Sequence, residues 1–328
     1  MRRPNPTTQM QGTFMRKLTV GVGMSLVMCL VGCNMVPWRR TDTGDHTVDN
    51  SSARLSSESL VRYLNGNAQQ IDSLRSPNIQ LDVRAEQSVG LNASLSCMRP
   101  RYFRLRASGP GGGLEADFGS NEEEFWYFIK RDNPPNVYYC PYDAMKEGNV
   151  RLPLPFQPEM ILAALGMATY DPAGQYEVKQ AGGKIELIEN TVSPQGQPMQ
   201  HVVRFDARSD NQLGSKPRVI GHIIRDKNGK EIFTATILSV EKKHGPDGRP
   251  VAEVPTHFEI AWPAQKMGLT MRLYDVKLNS IDRNNPGQLF AWRDSLKGYQ
   301  SAVNLAQLGT GTPTGIQRTG GIEPIKIR

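Results

Sequence analysis

Between Ile79 and Cys140, apolar and polar residues alternate in one segment after another, and this limits the fold more than any other feature of the chain. Ile79–Ala85 and Leu91–Cys97 alternate in this way. Phe103, Leu105 and Ala107 fall on one side of a strand, with Arg104 and Arg106 on the other. Leu114, Ala116 and Phe118 repeat the pattern against Glu115 and Asp117. A period of two sends successive side chains to opposite faces of a sheet, so these strands are expected to have one buried face and one wet face. Gly109, Pro110 and Gly111–Gly113 supply the turn between the last two strands. Phe125–Ile129 and Val137–Cys140 read as two more strands across Asp132-Asn133-Pro134-Pro135.

Later strands are expected at Tyr176–Lys179, Ile185–Glu189, Val202–Phe205, Val219–Arg225, Ile232–Ser239, Thr256–Trp262 and Leu269–Leu278. Asn228-Gly229 closes one hairpin, the strongest short-range hairpin signal available. Asp247-Gly248 lies in a longer loop. Strands at this spacing predict an antiparallel meander. A helix opens the body: Ser56 or Ser57 can cap it, and Leu60, Leu64, Ile71 and Leu74 recur near helical spacing, although Asn65 and Gly66 weaken its middle. A second helix is expected from Pro158, well placed at a first helical position, to Met167.

Met15-Arg16-Lys17 runs into an apolar stretch, Leu18–Val31, that ends in Leu30-Val31-Gly32-Cys33. This resembles a bacterial lipoprotein signal: a charged start, a short apolar region and a lipobox. The resemblance implies cleavage before Cys33 and a diacylglyceryl group on its thiol. The run is short and glycine-rich for a spanning helix, which needs about 20 apolar residues. An ordinary secretory signal would prefer an A-x-A-like cut site. Residues 1–14 are polar and precede a good start at Met15, so both Met1 and Met15 stand as starts. Residues 1–32 are thus read as signal, 33–55 as lipidated cysteine and flexible tether, 56–295 as the folded domain, and 296–328 as a C-terminal helix or disordered tail.

Charge follows from this division. The full chain carries +7, but Arg2, Arg3, Arg16 and Lys17 are the only charges in residues 1–32. Removing them leaves 35 basic residues against 32 acidic ones, or +3. That is an ordinary surface with no stripe of like charge to track phosphates, so no nucleic-acid partner is expected. Cys97 ends an alternating run and should point into the core; Cys140 ends another strand. A disulfide between them and two buried free thiols both remain open.

Phe118-Gly119-Ser120-Asn121 followed by Phe125-Trp126, Pro155-Phe156-Gln157-Pro158 before the second helix, and Val254-Pro255 through Ile260-Trp262-Pro263 to Leu269, Met271 and Leu273 carry a further likeness. With the lipid signal and the helix-then-meander order, they resemble the outer-membrane lipoprotein carrier and receptor superfamily (LolA/LolB-like). The resemblance implies a mainly β fold with few helices: a strongly curved antiparallel half-barrel, its concave face covered by helices over a cavity for acyl chains. Candidates for the cavity are Phe103, Leu105, Leu114, Phe118, Phe125, Tyr127, Met160, Ile161, Ala164, Leu165, Met167, Trp262 and Met271. Cys33 favours the anchored, receptor-like arrangement, and Asn34 rather than aspartate after it points to the periplasmic face of the outer membrane. The receptor's protruding apolar loop has no clear counterpart.

Catalytic signatures are absent from the sequence. His46, His201, His222, His244 and His257 are scattered, with no HExxH, and no GxSxG or GxxxxGK[ST] occurs. Asp226–Glu231 looks superficially like a calcium loop, but Gly229 falls at the fourth place instead of the sixth. Glu122-Glu123-Glu124 reads as a solvated turn. Lys242-Lys243 and Arg39-Arg40 read as loop and tether charges. The expectation is a monomeric, non-enzymatic, lipid-anchored envelope protein, without metal or cofactor, that takes an acyl chain, lipid or lipoprotein. The alternative is a structural or partner-binding lipoprotein with a fully packed core.

Overall fold

Strand-forming runs of five to fourteen residues pair with their chain neighbours wherever a short turn permits, and here they do so in two groups. The first is β1 (Ser73–Arg84), β2 (Ser88–Met98), β3 (Tyr102–Ser108), β4 (Leu114–Ser120), β5 (Glu124–Ile129) and β6 (Val137–Pro141). The second is β7 (Tyr176–Ala181), β8 (Lys184–Val192), β9 (Pro198–Asp206), β10 (Arg218–Asp226), β11 (Glu231–His244), β12 (Pro250–Trp262) and β13 (Met267–Tyr274). This computed structural model describes residues 56–85, 88–146, 158–193, 196–206, 218–245, 250–293 and 301–308, all in the unit Ala53–Arg328. The signal-like segment, Cys33, the tether, Pro155-Phe156-Gln157, Asp247-Gly248 and the chain beyond Leu308 lie outside the described residues.

The expected single meander is two. They join where β1 pairs antiparallel with β13, from Asn78 opposite Tyr274 to Arg84 opposite Gly268. The sheet is not closed: its order runs β15-β6-β5-β4-β3-β2-β1-β13-β12-β11-β10-β9-β8-β7, with β15 (Ala302–Asn304) and β7 at the two ends. A two-residue strand, β14 (Lys277–Leu278), also pairs with β1. Every pairing is antiparallel except β15 on β6. At the β10–β11 hairpin Gly229 takes φ +79°, which a side chain would strain, and Asp226 Oδ1 accepts from the Asn228 and Lys230 amides.

Three helices accompany the sheet among the described residues: α1 (Ser57–Ala68), α2 (Tyr142–Lys146) and α3 (Pro158–Ala164). Ser56 caps α1, its hydroxyl accepting from the Ser59 amide at 3.3 Å. Asn65, expected to weaken the helix, instead anchors it, as does Asn67. Asn65 donates to Tyr170 O at 2.7 Å and accepts from Tyr170 N at 2.8 Å. Asn67 engages the Glu253 amide and carbonyl at 2.8 and 3.0 Å in the same way. The second helix stops at Ala164, short of Met167, because Gly166 adopts φ +76° and the Gly166 amide turns back to Ala163 O.

One face of the sheet buries Leu81, Leu95, Phe103, Leu105, Phe258, Ile260 and Met271 in a cluster shared with Ile161, Leu162, Ala164, Leu165 and Met167 of the α3 region. α1 lays Leu60, Val61 and Leu64 on Ile185, Leu187, Val203 and Phe205 of β8 and β9.

The opposite face of β3–β6 is not wet, as alternation alone predicts. Phe290 and Trp292 pack there on Met98, Trp126, Phe128 and Val137. Beneath that segment Arg104 and Asp117 are buried and form a two-pronged ion pair, Nε–Oδ1 at 3.2 Å and Nη2–Oδ2 at 2.7 Å. Arg104 Nη1 also donates to the carbonyls of Leu289 and Ala291 at 3.0 and 3.1 Å, pinning the covering segment. Glu124, expected in a solvated turn, is 4% exposed instead, because Trp292 Nε1 (2.9 Å) and Arg293 converge on it. Chain remote in sequence thus converts a polar face into an interior.

Candidate functional site

The strand faces that meet α3 are filled by their own side chains, but toward the other end of the same face the filling stops. There a cavity of about 210 Å³ is lined by Leu81 and Val83 of β1, Val89 and Leu91 of β2, Leu105 and Ala107 of β3, and Ala116 and Phe118 of β4. Ile129, Trp262, Met267 and Leu269 complete the apolar wall. The arrangement follows from register. Leu105 stands opposite Phe118, Ala107 opposite Ala116, and Ala116 opposite Ile129. Two alanines side by side on adjacent strands leave space where larger side chains would close the core. Glu115 and Arg131 are the charged residues in the lining.

Of the expected cavity residues, Leu105, Phe118 and Trp262 line it. Phe103, Met271, Ile161, Ala164, Leu165 and Met167 are buried in the adjoining core, with Met160 packed partly against it. This apolar space therefore lies along the sheet, while Met167 and Leu162 border a separate, more polar cleft with Arg99, Glu122, Glu159 and Arg283. Phe125 and Tyr127 belong to a neighbouring cluster on the same face, with Tyr138, Cys140, Met145 and Leu305, reached through the stacked pair Phe118–Tyr127 at 6.3 Å. Leu114 goes to the opposite face. A register shift after Ala107 pairs Ser108 with Leu114, so Leu114 turns away from Ala116 and packs with Trp126 and Phe128. The sequence gives no sign of this bulge beyond the glycine-rich turn before it. Leu81, Val83, Leu91, Ala107, Ala116 and Leu269 were legible as inward-facing residues of their strands, but alternation does not show which of them border a void.

Cys97 and Cys140 are free and buried. Register runs Cys97–Phe103–Ser120–Phe125–Cys140 across five adjacent strands. Four strand spacings separate the thiols by roughly 19 Å, whereas a disulfide needs Cα atoms within about 7 Å. Burial raises both thiol pKa values, that of Cys140 to about 11. Among the described residues no group of three or more His, Cys, Asp or Glu is placed to hold a metal.

A buried histidine lies apart from the cavity. His222 on β10 is 4% exposed, its Nδ1 without a hydrogen-bond partner among the described residues, and its ring 6.2 Å from that of His201. Desolvation, with repulsion from His201, lowers its pKa to about 3. The unfolded chain therefore binds a proton that the folded chain refuses. The stability this represents is present above about pH 6.5 and is lost as pH falls toward 3. Between pH 7 and 5 the group should remove about 2 kcal/mol of unfolding free energy. Urea titrations of wild type and His222→Leu at the two pH values check this, and equal pH slopes would contradict it.

The fold and cavity define an open antiparallel sheet protein with an apolar chamber in its core. No family model and no curated protein matches the sequence. Solved structures are similar to it. A Vibrio parahaemolyticus domain that carries the name outer membrane lipoprotein-sorting protein shares 10% identity over 71% of this chain and 98% of its own, with a TM-score of 0.46. A DUF1329 family protein from Desulfovibrio piger shares 9% identity over 70% and 95%, with a TM-score of 0.45. A LolA superfamily protein from Nitrosomonas europaea shares 12% over 71% and 97%, with a TM-score of 0.42. The LolA likeness read from the sequence is thus met again among solved structures.

Proposed function

We propose that this chain is a non-enzymatic, lipid-anchored envelope protein that receives part of an acyl chain in the cavity beneath β1–β4. The observation that carries the reading is the chamber itself: about 210 Å³, walled by aliphatic and aromatic side chains. An apolar cavity of about 150 Å³ accepts benzene. Taking a methylene as comparable to the ~30 Å³ share of a water in its liquid, the space holds on the order of half a dozen methylenes. At about 0.8 kcal/mol each, burial contributes about 5 kcal/mol, and since immobilising the guest opposes it, the dissociation constant is no lower than about 0.2 mM. Binding of that strength suits a site that passes its guest on. In this reading the sheet is a curved half-barrel with helices on its concave face, and Cys33 holds the monomeric protein to the periplasmic side of the outer membrane. The close packing of Ile161, Leu162 and Leu165 favours the alternative, a packed structural lipoprotein.

One titration separates the two. The full chain carrying Cys33→Ser should enhance the emission of an uncharged, apolar naphthalene probe, and decanol should displace it. Ala116→Phe, which places a ring in the cavity, should abolish uptake while leaving the melting temperature unchanged or higher. Uptake that persists undiminished in Ala116→Phe, or that never occurs, refutes the cavity reading. A second expected result concerns the anchor: Cys33→Ser should release the protein from membranes on fractionation, and unchanged membrane recovery refutes the lipid anchor.

A further inference from the structure

The charged residues at the cavity are unevenly matched. Glu115 is the carboxylate in the lining, and two cations converge on it: Lys130 Nζ at 2.9 Å from Oε1, and Arg131 Nε at 3.6 Å from Oε2. Glu115 is mostly buried, with its side chain 18% exposed, while Lys130 and Arg131 are about half exposed, at 52% and 42%. Lys266 precedes Met267, which lines the opposite wall, in a left-handed turn. Asp132, next along the β5–β6 turn, is a further carboxylate there; burial raises its pKa, and its field reaches Tyr127. Arg84, next to the wall residue Val83, is already held 3.4 Å from Glu259.

Arg131 is the cation best placed to act on a guest. It lines the cavity and, among the described residues, meets Glu115 through Nε. Among the described residues its two terminal nitrogens have no hydrogen-bond partner. A guanidinium presents donors in a fixed fork that suits carboxylate and phosphate oxygens, and bonds of that kind are stronger than neutral ones. An alkyl chain lying against Leu105 and Phe118 would bring its head to the level of Arg131.

We infer that the cavity selects amphiphiles with an anionic head, the oxyanion being held by Arg131 while the chain occupies the apolar chamber. This rests on the acyl-chain reading above and names the class of guest. The head is a carboxylate or a phosphate; the two share the oxyanion that the fork recognises.

The test uses the full chain carrying Cys33→Ser, with decanoate, decyl phosphate, decanol and decyltrimethylammonium titrated by calorimetry below their aggregation concentrations. Decanoate or decyl phosphate, whichever fits the fork better, should bind about tenfold more tightly than decanol, as charge-assisted hydrogen bonds of ordinary size imply. The cationic amphiphile should bind more weakly than decanol. Arg131→Gln should erase the anion preference, so that decanoate, decyl phosphate and decanol bind that variant with equal affinity; Arg131→Lys should restore part of it. Equal affinity for decanol and both anions, or a preference that survives Arg131→Gln, overturns the inference while the acyl-chain reading stands. Absence of binding by all four amphiphiles overturns both.

Discussion

Replacing Asp117 by alanine will lower the unfolding free energy by about 3–5 kcal/mol, the usual result of removing one member of a buried ion pair. Asp117 has no exposed surface and accepts from Arg104 through both oxygens, from Trp126 Nε1 at 3.3 Å, and lies 3.4 Å from Arg106. Without it, the Arg104 guanidinium keeps its bonds to the Leu289 and Ala291 carbonyls but loses the carboxylate that meets it at 2.7 and 3.2 Å. The covering segment should then exchange its amide protons faster than the β12–β13 hairpin does. The double change Arg104→Met with Asp117→Leu removes both charges and should recover much of the loss, since apolar replacement of a whole buried pair is often neutral or favourable. Denaturant titration of the three variants is the measurement. A loss under about 1 kcal/mol for Asp117→Ala, well below the range expected for a buried pair, would show that water reaches this site.

Gly119→Ala should cost about 3 kcal/mol, the upper part of the range for forcing extra volume into a packed interior. Gly119 stands opposite Trp126 on the neighbouring strand, and the indole lies directly over it. A Cβ built there would overlap Trp126 Cζ2 and Cε2. The ring cannot swing aside cheaply, because it is 1% exposed and its N–H is held by Asp117. Smaller rings at position 126 should relieve the clash. Gly119→Ala combined with Trp126→Leu should be closer in stability to Trp126→Leu alone than Gly119→Ala is to wild type. Thermal melts of the four proteins decide the point, and purely additive losses would show that the contact is not the cause.

What could be read from the sequence was local, and what could not was set by chain far away. The alternation at Phe103–Ala107 correctly marks a strand, because the period of a strand is written in neighbouring residues, and the aromatic run Phe125–Ile129 marks another by its composition. Ser56 and the Asn228-Gly229 turn announce themselves for the same reason. Arg104 and Asp117 mislead because their polar character belongs to an ion pair and not to a wet surface, and Phe290 and Trp292 cover them from more than 160 positions along the chain. The β1–β13 seam likewise pairs Ile79 with Leu273, which no local pattern encodes. The candidate site was legible only as inward-facing residues, not as a void. Leu105, Phe118 and Trp262 were named from their apolar character, but the void itself arises where Ala107 and Ala116 meet across a register known only from the fold.

The seam between β1 and β13 also dictates an order of assembly. As the chain emerges from its N-terminal end, β1–β6 can zip together early from contacts close in sequence, while the second edge of β1 must wait until Met267–Tyr274 has been made. Through that interval β1 offers unsatisfied amides and carbonyls to any other extended chain nearby. A holding factor that shields nascent strands is therefore most useful to this protein in the time between the completion of its two halves.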